Sequence, residues 1–95
     1  MNHQVPRTIR MQASDNVAIV VNDGGLPAGT ALPDGLVLLE GVPQGHKVAL
    51  TDLQDGEAVI RYGVTIGYAD GAIPRGSWVS ERVLRMPAAR SLDDL

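Results

Sequence analysis

A histidine and a lysine stand side by side in this sequence and supply its clearest chemistry. His46 and Lys47 follow the turn-forming residues Val42-Pro43-Gln44-Gly45 and precede the aliphatic residues Val48-Ala49-Leu50. An imidazole can transfer a proton or ligate a metal near neutral pH, and a lysine ammonium is a compact charge that suits an anionic substrate. The alternative is that His46 hydrogen-bonds a turn carbonyl and Lys47 is solvated. We take His46 as the candidate for proton transfer or for metal or substrate contact, and Lys47 as a candidate for substrate binding.

A second glycine turn carries two further candidates, Arg75 and Trp78. The tetrad Ile73-Pro74-Arg75-Gly76 is followed at once by Ser77-Trp78. The Arg75 guanidinium suits a carboxylate ligand or an acidic partner surface, so Arg75 joins Lys47 as a substrate-binding candidate, although scattered arginines are usually solvated. The Trp78 indole suits a sugar-acid pocket wall, an interface anchor or the core. Because the chain has few other large side chains, we favour the core.

Composition excludes several other kinds of site. The chain has no cysteine, which removes disulfides, zinc–thiolate centres and thiol nucleophiles. Eight Lys and Arg residues against eleven Asp and Glu give a net charge of −3, opposite to the basic surface that phosphate backbones require. Aromatic residues make up 3% of the chain, too few for a platform on which bases stack. We expect no nucleic-acid partner.

Familiar catalytic motifs are missing from the sequence. Ser77 and His46 stand in no local motif that places them with an acid as a hydrolytic triad. The glycine segments Gly24-Gly25 and Gly63-x-x-x-Gly67 lack the lysine and the helix of a phosphate-binding loop. No apolar run has the length of a membrane span, and the first fifteen residues lack the apolar stretch of a secretory signal. We therefore expect a cytoplasmic protein with no membrane partner.

The elements that must position these residues are short strands joined by tight turns. Apolar runs at 8–11, 17–21, 36–39, 47–51, 58–62 and 65–69 predict strands, the last two forming a hairpin around Gly63-Val64. One helical turn is predicted from Glu81 to Leu84, capped by Ser80. Four tetrads of an aliphatic residue, proline, any residue and glycine predict chain reversals, with proline in the second turn position and glycine in the fourth. These tetrads are Leu26-Pro27-Ala28-Gly29, Leu32-Pro33-Asp34-Gly35, Val42-Pro43-Gln44-Gly45 and Ile73-Pro74-Arg75-Gly76.

Strands this short, with a turn about every eight to twelve residues, are typical of a small all-β barrel-like or clip-like fold. A chain of 95 residues allows one domain. We divide it into a flexible amino-terminal arm over residues 1–14, a β-domain over residues 15–86 and the start of a linker over residues 87–95. The linker-like end indicates that the chain is a piece of a longer protein.

Four segments of the sequence carry a family resemblance. They are Asp15 to Asp23, Pro43-Gln44-Gly45-His46-Lys47-Val48-Ala49-Leu50, Ile60-Arg61-Tyr62-Gly63 with Ile66-Gly67-Tyr68, and Ala72 to Val79. From about Asp15 to Met86 the chain resembles the amino-terminal SAF domain of the altronate/galactarate dehydratase family. The Gly-His-Lys-Val-Ala-Leu segment is shared with altronate dehydratases and with the small subunit of sulfolactate sulfo-lyase. The Ile-Pro-Arg-Gly-Ser-Trp stretch and the segment around Asn22-Asp23 favour the galactarate branch.

The resemblance implies a SAF-type β-clip fold and a share in a lyase reaction. The galactarate branch removes water from galactarate, an aldaric acid, and gives 5-dehydro-4-deoxy-D-glucarate. A large carboxy-terminal dehydratase domain, absent from this chain, is implied to carry most of the active site and a divalent metal, iron(II) in the dehydratases. We therefore expect the isolated chain to be inactive, with His46 and Lys47 projecting from the domain to cap or complete that active site. A homo-oligomer is possible in such an enzyme.

Two other interpretations stay open at this point. The chain could be a separate small subunit of a split enzyme of the altronate dehydratase or sulfolactate sulfo-lyase type. It could also be a non-catalytic module that binds sugar acids or holds subunits together, with the Gly-His-Lys turn serving structure alone. The response of turnover to a change at His46 separates the catalytic from the non-catalytic interpretation.

Overall fold

The protein is built from short strands, as the sequence predicts. The structure, a computed structural model, describes residues 5–86. Its strands are β1 (Thr8–Ile9), β2 (Val17–Val20), β3 (Lys47–Ala49), β4 (Ala58–Arg61), β5 (Val64–Ala69), β6 (Trp78–Val79) and β7 (Leu84–Arg85), and a 3-10 helix spans Glu81–Val83. The start of the predicted arm at residues 1–4 and the predicted linker at residues 87–95 lie outside the described residues. Within residues 5–86 no helix is long and apolar enough to cross a membrane.

The strands form two antiparallel sheets. The first has the order β1-β2-β3-β6, and the second has the order β4-β5-β7. In the first sheet Thr8 of β1 lies opposite Val20 of β2, so a part of the predicted arm joins the sheet. Lys47 of β3 lies opposite Ile19 on one side and Val79 on the other. The fold class is therefore all-β, consistent with a SAF-type β-clip.

The core consists of two apolar clusters, one on each face of the first sheet. Alternate residues of a strand point to opposite faces, so Ala18 and Val48 enter the first cluster whereas Val17 and Ala49 enter the second. This arrangement explains why residues 17–20 are apolar without interruption, because both faces of β2 are covered. The predicted strand is confirmed, with Val17, Ala18 and Val20 buried and Ile19 half-buried.

A turn of one design occurs four times and frames the two clusters. Leu26 pairs with Val42 in one isolated bridge, and Leu53 pairs with Ile73 in another. Each of these four residues begins a tetrad that ends in glycine with positive φ, and each of the four glycines donates its N–H to a neighbouring segment, at Leu38, Val20, Ala69 and Ala49 respectively. The fold is therefore an approximate internal repeat, with one pair of turns beside each cluster.

The sequence prediction of these turns was partly wrong in detail. Leu53-Gln54-Asp55-Gly56 forms the same turn without a proline, so it is not one of the four tetrads recognised by their proline. In the turns at Pro27, Pro43 and Pro74, the proline carbonyl accepts from the residue three positions later. Proline therefore holds the first turn position and glycine the third, where positive φ is typical of a type II turn. Only the turn at Leu32 closes as predicted, from the Gly35 N–H to the Leu32 carbonyl at 2.9 Å.

The predicted hairpin is confirmed, with its turn one residue earlier than expected. Tyr62 and Gly63 connect β4 to β5 and have φ of 59° and 72°. Two successive residues with positive φ are typical of a type I′ turn, which suits the twist of a hairpin. The predicted helical turn after Ser80 is present as the 3-10 helix, but the Ser80 side chain makes no capping hydrogen bond.

Candidate functional site

A groove at the beginning of β3 brings the two predicted turns together. Because β3 and β6 are antiparallel, Lys47 at the start of β3 lies opposite Val79 at the end of β6, next to the 3-10 helix. The groove has a volume of about 560 Å³ and is lined by His46, Lys47, Trp78, Val79, Ser80, Glu81 and Arg82. Two segments about 30 residues apart thus share one concave surface.

His46 is held in this groove by Trp78. The backbone N–H of His46 donates to the Pro43 carbonyl at 3.1 Å and closes the turn at Pro43-Gln44-Gly45. Its imidazole is exposed, and its Nδ1 accepts a hydrogen bond from the Trp78 indole Nε1–H at 3.2 Å. The two rings meet edge to face, with centroids 5.4 Å apart and planes at 77°. The ring of His46 therefore has one edge fixed and the other directed away from Trp78.

Trp78 serves the core and the groove at once. It lies opposite Val48 in the sheet, and its partly buried side chain packs against the first cluster. Its backbone N–H donates to the Glu40 carboxylate at 3.2 Å. The core role predicted from the sequence is thus only half of the result, because the same indole also lines the groove and holds His46.

Lys47 leaves the opposite face of the strand from His46 and is half-buried. Burial lowers the pKa of the Lys47 ammonium, the positive charge of Arg61 lowers it further, and the carboxylate of Glu81 opposes both effects. Within residues 5–86 Lys47 makes no salt bridge and no side-chain hydrogen bond, and the ion pairs found there belong to Arg85. A half-buried cation without a close partner attracts an anion from outside.

The charges around the groove favour the same class of ligand. The lining residues include two cations, Lys47 and Arg82, and one carboxylate, Glu81. The Ser80 hydroxyl and the His46 imidazole add polar atoms without a fixed charge. Together these groups can hold a carboxylate by charge and by hydrogen bonds.

Arg75 is not brought to this groove. Its Nε donates to the Leu50 carbonyl at 3.2 Å, and its backbone N–H donates to the Asp52 carboxylate at 2.8 Å. Leu50 follows β3 at the end away from Lys47, and three residues of strand span about 10 Å. The exposed Arg75 side chain therefore lies on a different part of the surface from His46 and Lys47.

The described residues do not provide a metal cage. Among residues 5–86 no three or more His, Asp or Glu side chains lie close enough together to hold an ion. His46 is the metal candidate from the sequence, and its Nδ1 lone pair is taken by the Trp78 N–H. A divalent metal therefore does not fit this domain's own residues as they are arranged.

Sequence reasoning missed Arg61, Ser80, Glu81 and Arg82 as neighbours of Lys47. Ser80 and Glu81 had been considered only for a helical turn. The available signal was the parallel between Gly45-His46-Lys47 and Gly76-Ser77-Trp78, two turns of the same design that each lead into a strand. Pairing of those strands places the residues beyond the second turn beside the first.

Comparison with known proteins identifies the domain. The sequence model of the altronate/galactarate dehydratase SAF domain matches residues 6–87. The chain is 56% identical to galactarate dehydratase (L-threo-forming) of Escherichia coli K12 over 87 residues, covering 92% of this chain and 17% of that enzyme. It is 42% identical to altronate dehydratase of the same organism, over 72% of this chain and 14% of that enzyme.

A third relative has nearly the size of this chain. The chain is 34% identical to (2R)-sulfolactate sulfo-lyase subunit alpha of Chromohalobacter salexigens, covering 70% of this chain and 80% of that subunit. The matched lengths show that this chain spans less than a fifth of the two dehydratases and most of the sulfo-lyase subunit. By this sequence match and by its all-β fold, the chain belongs to the SAF domain family of altronate and galactarate dehydratases.

Proposed function

We propose that this chain is the amino-terminal domain of a hydro-lyase that removes water from galactarate and gives 5-dehydro-4-deoxy-D-glucarate. The observation that carries the proposal is the 56% identity to a galactarate dehydratase over 92% of this chain. Identity to the altronate dehydratase is lower, at 42% over 72% of the chain. Galactarate, an aldaric acid with a carboxylate at each end, also suits the excess of positive charge in the groove.

The rest of this enzyme is proposed to lie in a large carboxy-terminal domain. The relatives of the dehydratase type extend far beyond the matched region, since it makes up 17% and 14% of their lengths. A divalent metal, iron(II) by family resemblance, would be held there, because residues 5–86 contain no cluster of three metal-ligating side chains. Such a metal would supply a Lewis acid for the negative charge that develops next to a carboxylate. The cytoplasm is the proposed location.

The domain's own part in the reaction is to hold one end of the substrate. Dehydration removes a proton next to a carboxylate and releases the neighbouring hydroxyl as water, so the carboxylate must be fixed and its growing charge stabilised. The Lys47 ammonium and the His46 imidazole line one groove, and within residues 5–86 the ammonium has no salt-bridge partner. The groove is therefore proposed to close over the large domain's active site with these two side chains facing the substrate.

A second arrangement keeps the same groove but separates the chains. The match to a sulfo-lyase subunit alpha covers 80% of that subunit, so a SAF domain of this size exists as a separate subunit in a relative. In that case the large partner is another polypeptide. Co-expression of the two genes and recovery of one complex would support the split arrangement, whereas a single long polypeptide would support the fused one.

The test of the proposed function is a substrate panel with the intact enzyme. Galactarate, altronate and sulfolactate are each supplied with ferrous iron, and release of the keto acid or of sulfite is followed. The proposal predicts the highest kcat/KM for galactarate. A higher value for altronate or for sulfolactate would contradict it and assign the chain to another branch of the family.

A further inference from the structure

We propose that Trp78 orients the His46 ring so that its Nε2–H faces the groove as a hydrogen-bond donor for a carboxylate, and that the charge of Lys47 favours an anion in the same groove. In this role His46 is neither a general base nor a metal ligand, and Trp78 is a positioning residue that acts through it. The inference rests on the proposed function for the identity of the carboxylate, which is one end of the substrate or an acidic side chain of the large domain.

The hydrogen bond between the two rings has one possible direction. An indole nitrogen can only donate, so the Trp78 Nε1–H at 3.2 Å requires a lone pair on the His46 Nδ1. A neutral imidazole carries one proton and one lone pair on its two nitrogens. With the lone pair on Nδ1, the proton is on Nε2. The free edge of the His46 ring therefore presents a donor.

This arrangement excludes the roles of general base and metal ligand for His46. A general base or a metal ligand must offer a lone pair, and the one lone pair of the His46 ring is directed at Trp78. Histidines that bind metals usually donate their other N–H to an acceptor, which strengthens the ligating nitrogen. Trp78 presents a donor at that place, which is the opposite arrangement.

The Nε2–H of His46 matches the charge of the groove around it. Lys47 lines the same groove, and its ammonium has no hydrogen-bond or ion-pair partner among residues 5–86. An N–H donor in a groove whose lining includes two cations, Lys47 and Arg82, and one carboxylate, Glu81, suits an acceptor with negative charge and two oxygens. The carboxylate is the group in an aldaric acid that has both.

The orientation of the His46 ring depends on how firmly Trp78 is held. Trp78 is held by its strand pairing opposite Val48, by its packing on the first cluster and by the bond from its backbone N–H to Glu40. The edge-to-face contact adds a preferred angle between the rings, 77° here. His46 is therefore oriented by a side chain that is itself fixed.

The kinetic test uses variants of the intact enzyme that separate a donor from a lone pair. Gln carries an N–H near the position of the imidazole Nε2, whereas Ala carries nothing. Loss of a hydrogen bond to a charged group lowers kcat/KM about tenfold or more. We therefore expect this decrease in kcat/KM in His46→Ala, and a kcat/KM close to that of the wild type in His46→Gln. A His46→Gln enzyme as inactive as His46→Ala would overturn the donor role. The matched control is His3→Gln, a change at the chain's other histidine.

The role of Trp78 is tested by coupling. Trp78→Phe keeps a ring but loses the N–H, and we expect kcat/KM to fall about threefold or more. In a His46→Ala background the same change should have almost no further effect, because Trp78 acts through His46. An equal loss in both backgrounds would show a structural role for Trp78 and would overturn the positioning claim.

Two readouts identify the source of the carboxylate. A rise in the KM for galactarate in His46→Ala, with unchanged hydrodynamic size and thermal unfolding, identifies the substrate carboxylate. A fall in unfolding temperature or a loss of domain association, with unchanged KM, identifies an acidic side chain of the large domain. Unchanged KM, kcat and association together would overturn carboxylate binding at this groove.

An activity-independent test follows the two rings directly in the full chain by NMR. Trp78 is the single tryptophan, so its indole N–H gives one signal, and we expect that signal to exchange faster with solvent in His46→Ala. Nitrogen shifts should place the proton of His46 on Nε2 in the wild type. A proton on Nδ1 would overturn the inference whatever the substrate. An enzyme without activity on galactarate would instead remove the proposed function and leave this result intact.

Discussion

The Trp78 indole Nε1 and the His46 Nδ1 lie 3.2 Å apart and join two residues that are 32 positions apart in the sequence, each just after a turn. Both residues follow a turn of the Pro-x-Gly design, and each leads into a strand of the same sheet. Pairing of these two strands places the residues that follow the two turns side by side. His46 supplies an exposed imidazole in the groove, and Trp78 supplies the ring that holds it.

Lys47→Met should stabilise the isolated chain at neutral pH. The pKa of Lys47 is lowered in the folded protein, chiefly by burial and then by Arg61. Below the folded pKa the charged amine therefore disfavours folding. The free energy of unfolding rises as the pH increases from the folded pKa toward the unfolded value of 10.5. The gain in Lys47→Met should stay below about 1 kcal/mol, because the side chain is half-exposed. Urea unfolding at pH 7 and pH 11 measures it, and a gain that persists at pH 11 would contradict the electrostatic explanation.

Asp15 should contribute stability that is lost in acid. Burial alone would raise its pKa, but backbone N–H donors at Gly63, Tyr62, Gln12 and Met11 outweigh burial and hold the pKa below 3.8. The shortest of these bonds is 2.7 Å from the Gly63 N–H. Because the folded pKa is the lower one, the contribution is complete above about pH 4 and disappears as pH falls through the folded value.

The corresponding variant is Asp15→Asn, which keeps one acceptor oxygen and loses the charge. We expect a lower unfolding temperature at pH 7 and a smaller difference from the wild type at pH 2 to 3. Thermal unfolding followed by circular dichroism across this range is the measurement. An equal difference at both ends of the range would argue that packing, and not the charge of Asp15, is responsible.

Gly76 should tolerate alanine far less well than Gly29. Both glycines have positive φ, 90° and 85°, so both substitutions carry the backbone cost of about 1 to 2 kcal/mol. A Cβ at Gly76 would also collide with the Val37 backbone carbonyl, whereas a Cβ at Gly29 would meet nothing within 4 Å. Chemical denaturation of the two variants should separate them by at least about 1 kcal/mol. Equal losses would contradict the close approach of the fourth turn to residues 37–39.

Local chemistry explains how much of the fold was predictable. Residues 17–20 revealed a strand covered on both faces, because no polar residue interrupts them. The turn at Gln54-Asp55-Gly56 lacks proline, so the design that it shares with the proline turns was not predicted. Tyr62 has positive φ in a hairpin turn, which its side chain does not favour, and the turn was therefore placed one residue late.

The candidate site was predictable only in part, because it depends on strand pairing. His46 and Lys47 were found from their types and position next to a turn. Their relation to Trp78 required the register of β3 and β6, which no local pattern contains. Arg75 was selected for its charge, but its Nε bond to the Leu50 carbonyl holds it at the far end of β3.

The central claim is that the groove of His46 and Lys47 completes the active site of the intact enzyme. The most direct measurement is kcat/KM for galactarate, with ferrous iron, in Lys47→Met and in the matched cation variant Arg75→Gln. We predict a loss of about tenfold or more for Lys47→Met, since it removes a charged contact to the substrate, and a change of less than about twofold for Arg75→Gln. Equal and unchanged kinetics in the two variants would contradict the claim and would assign the domain to assembly alone.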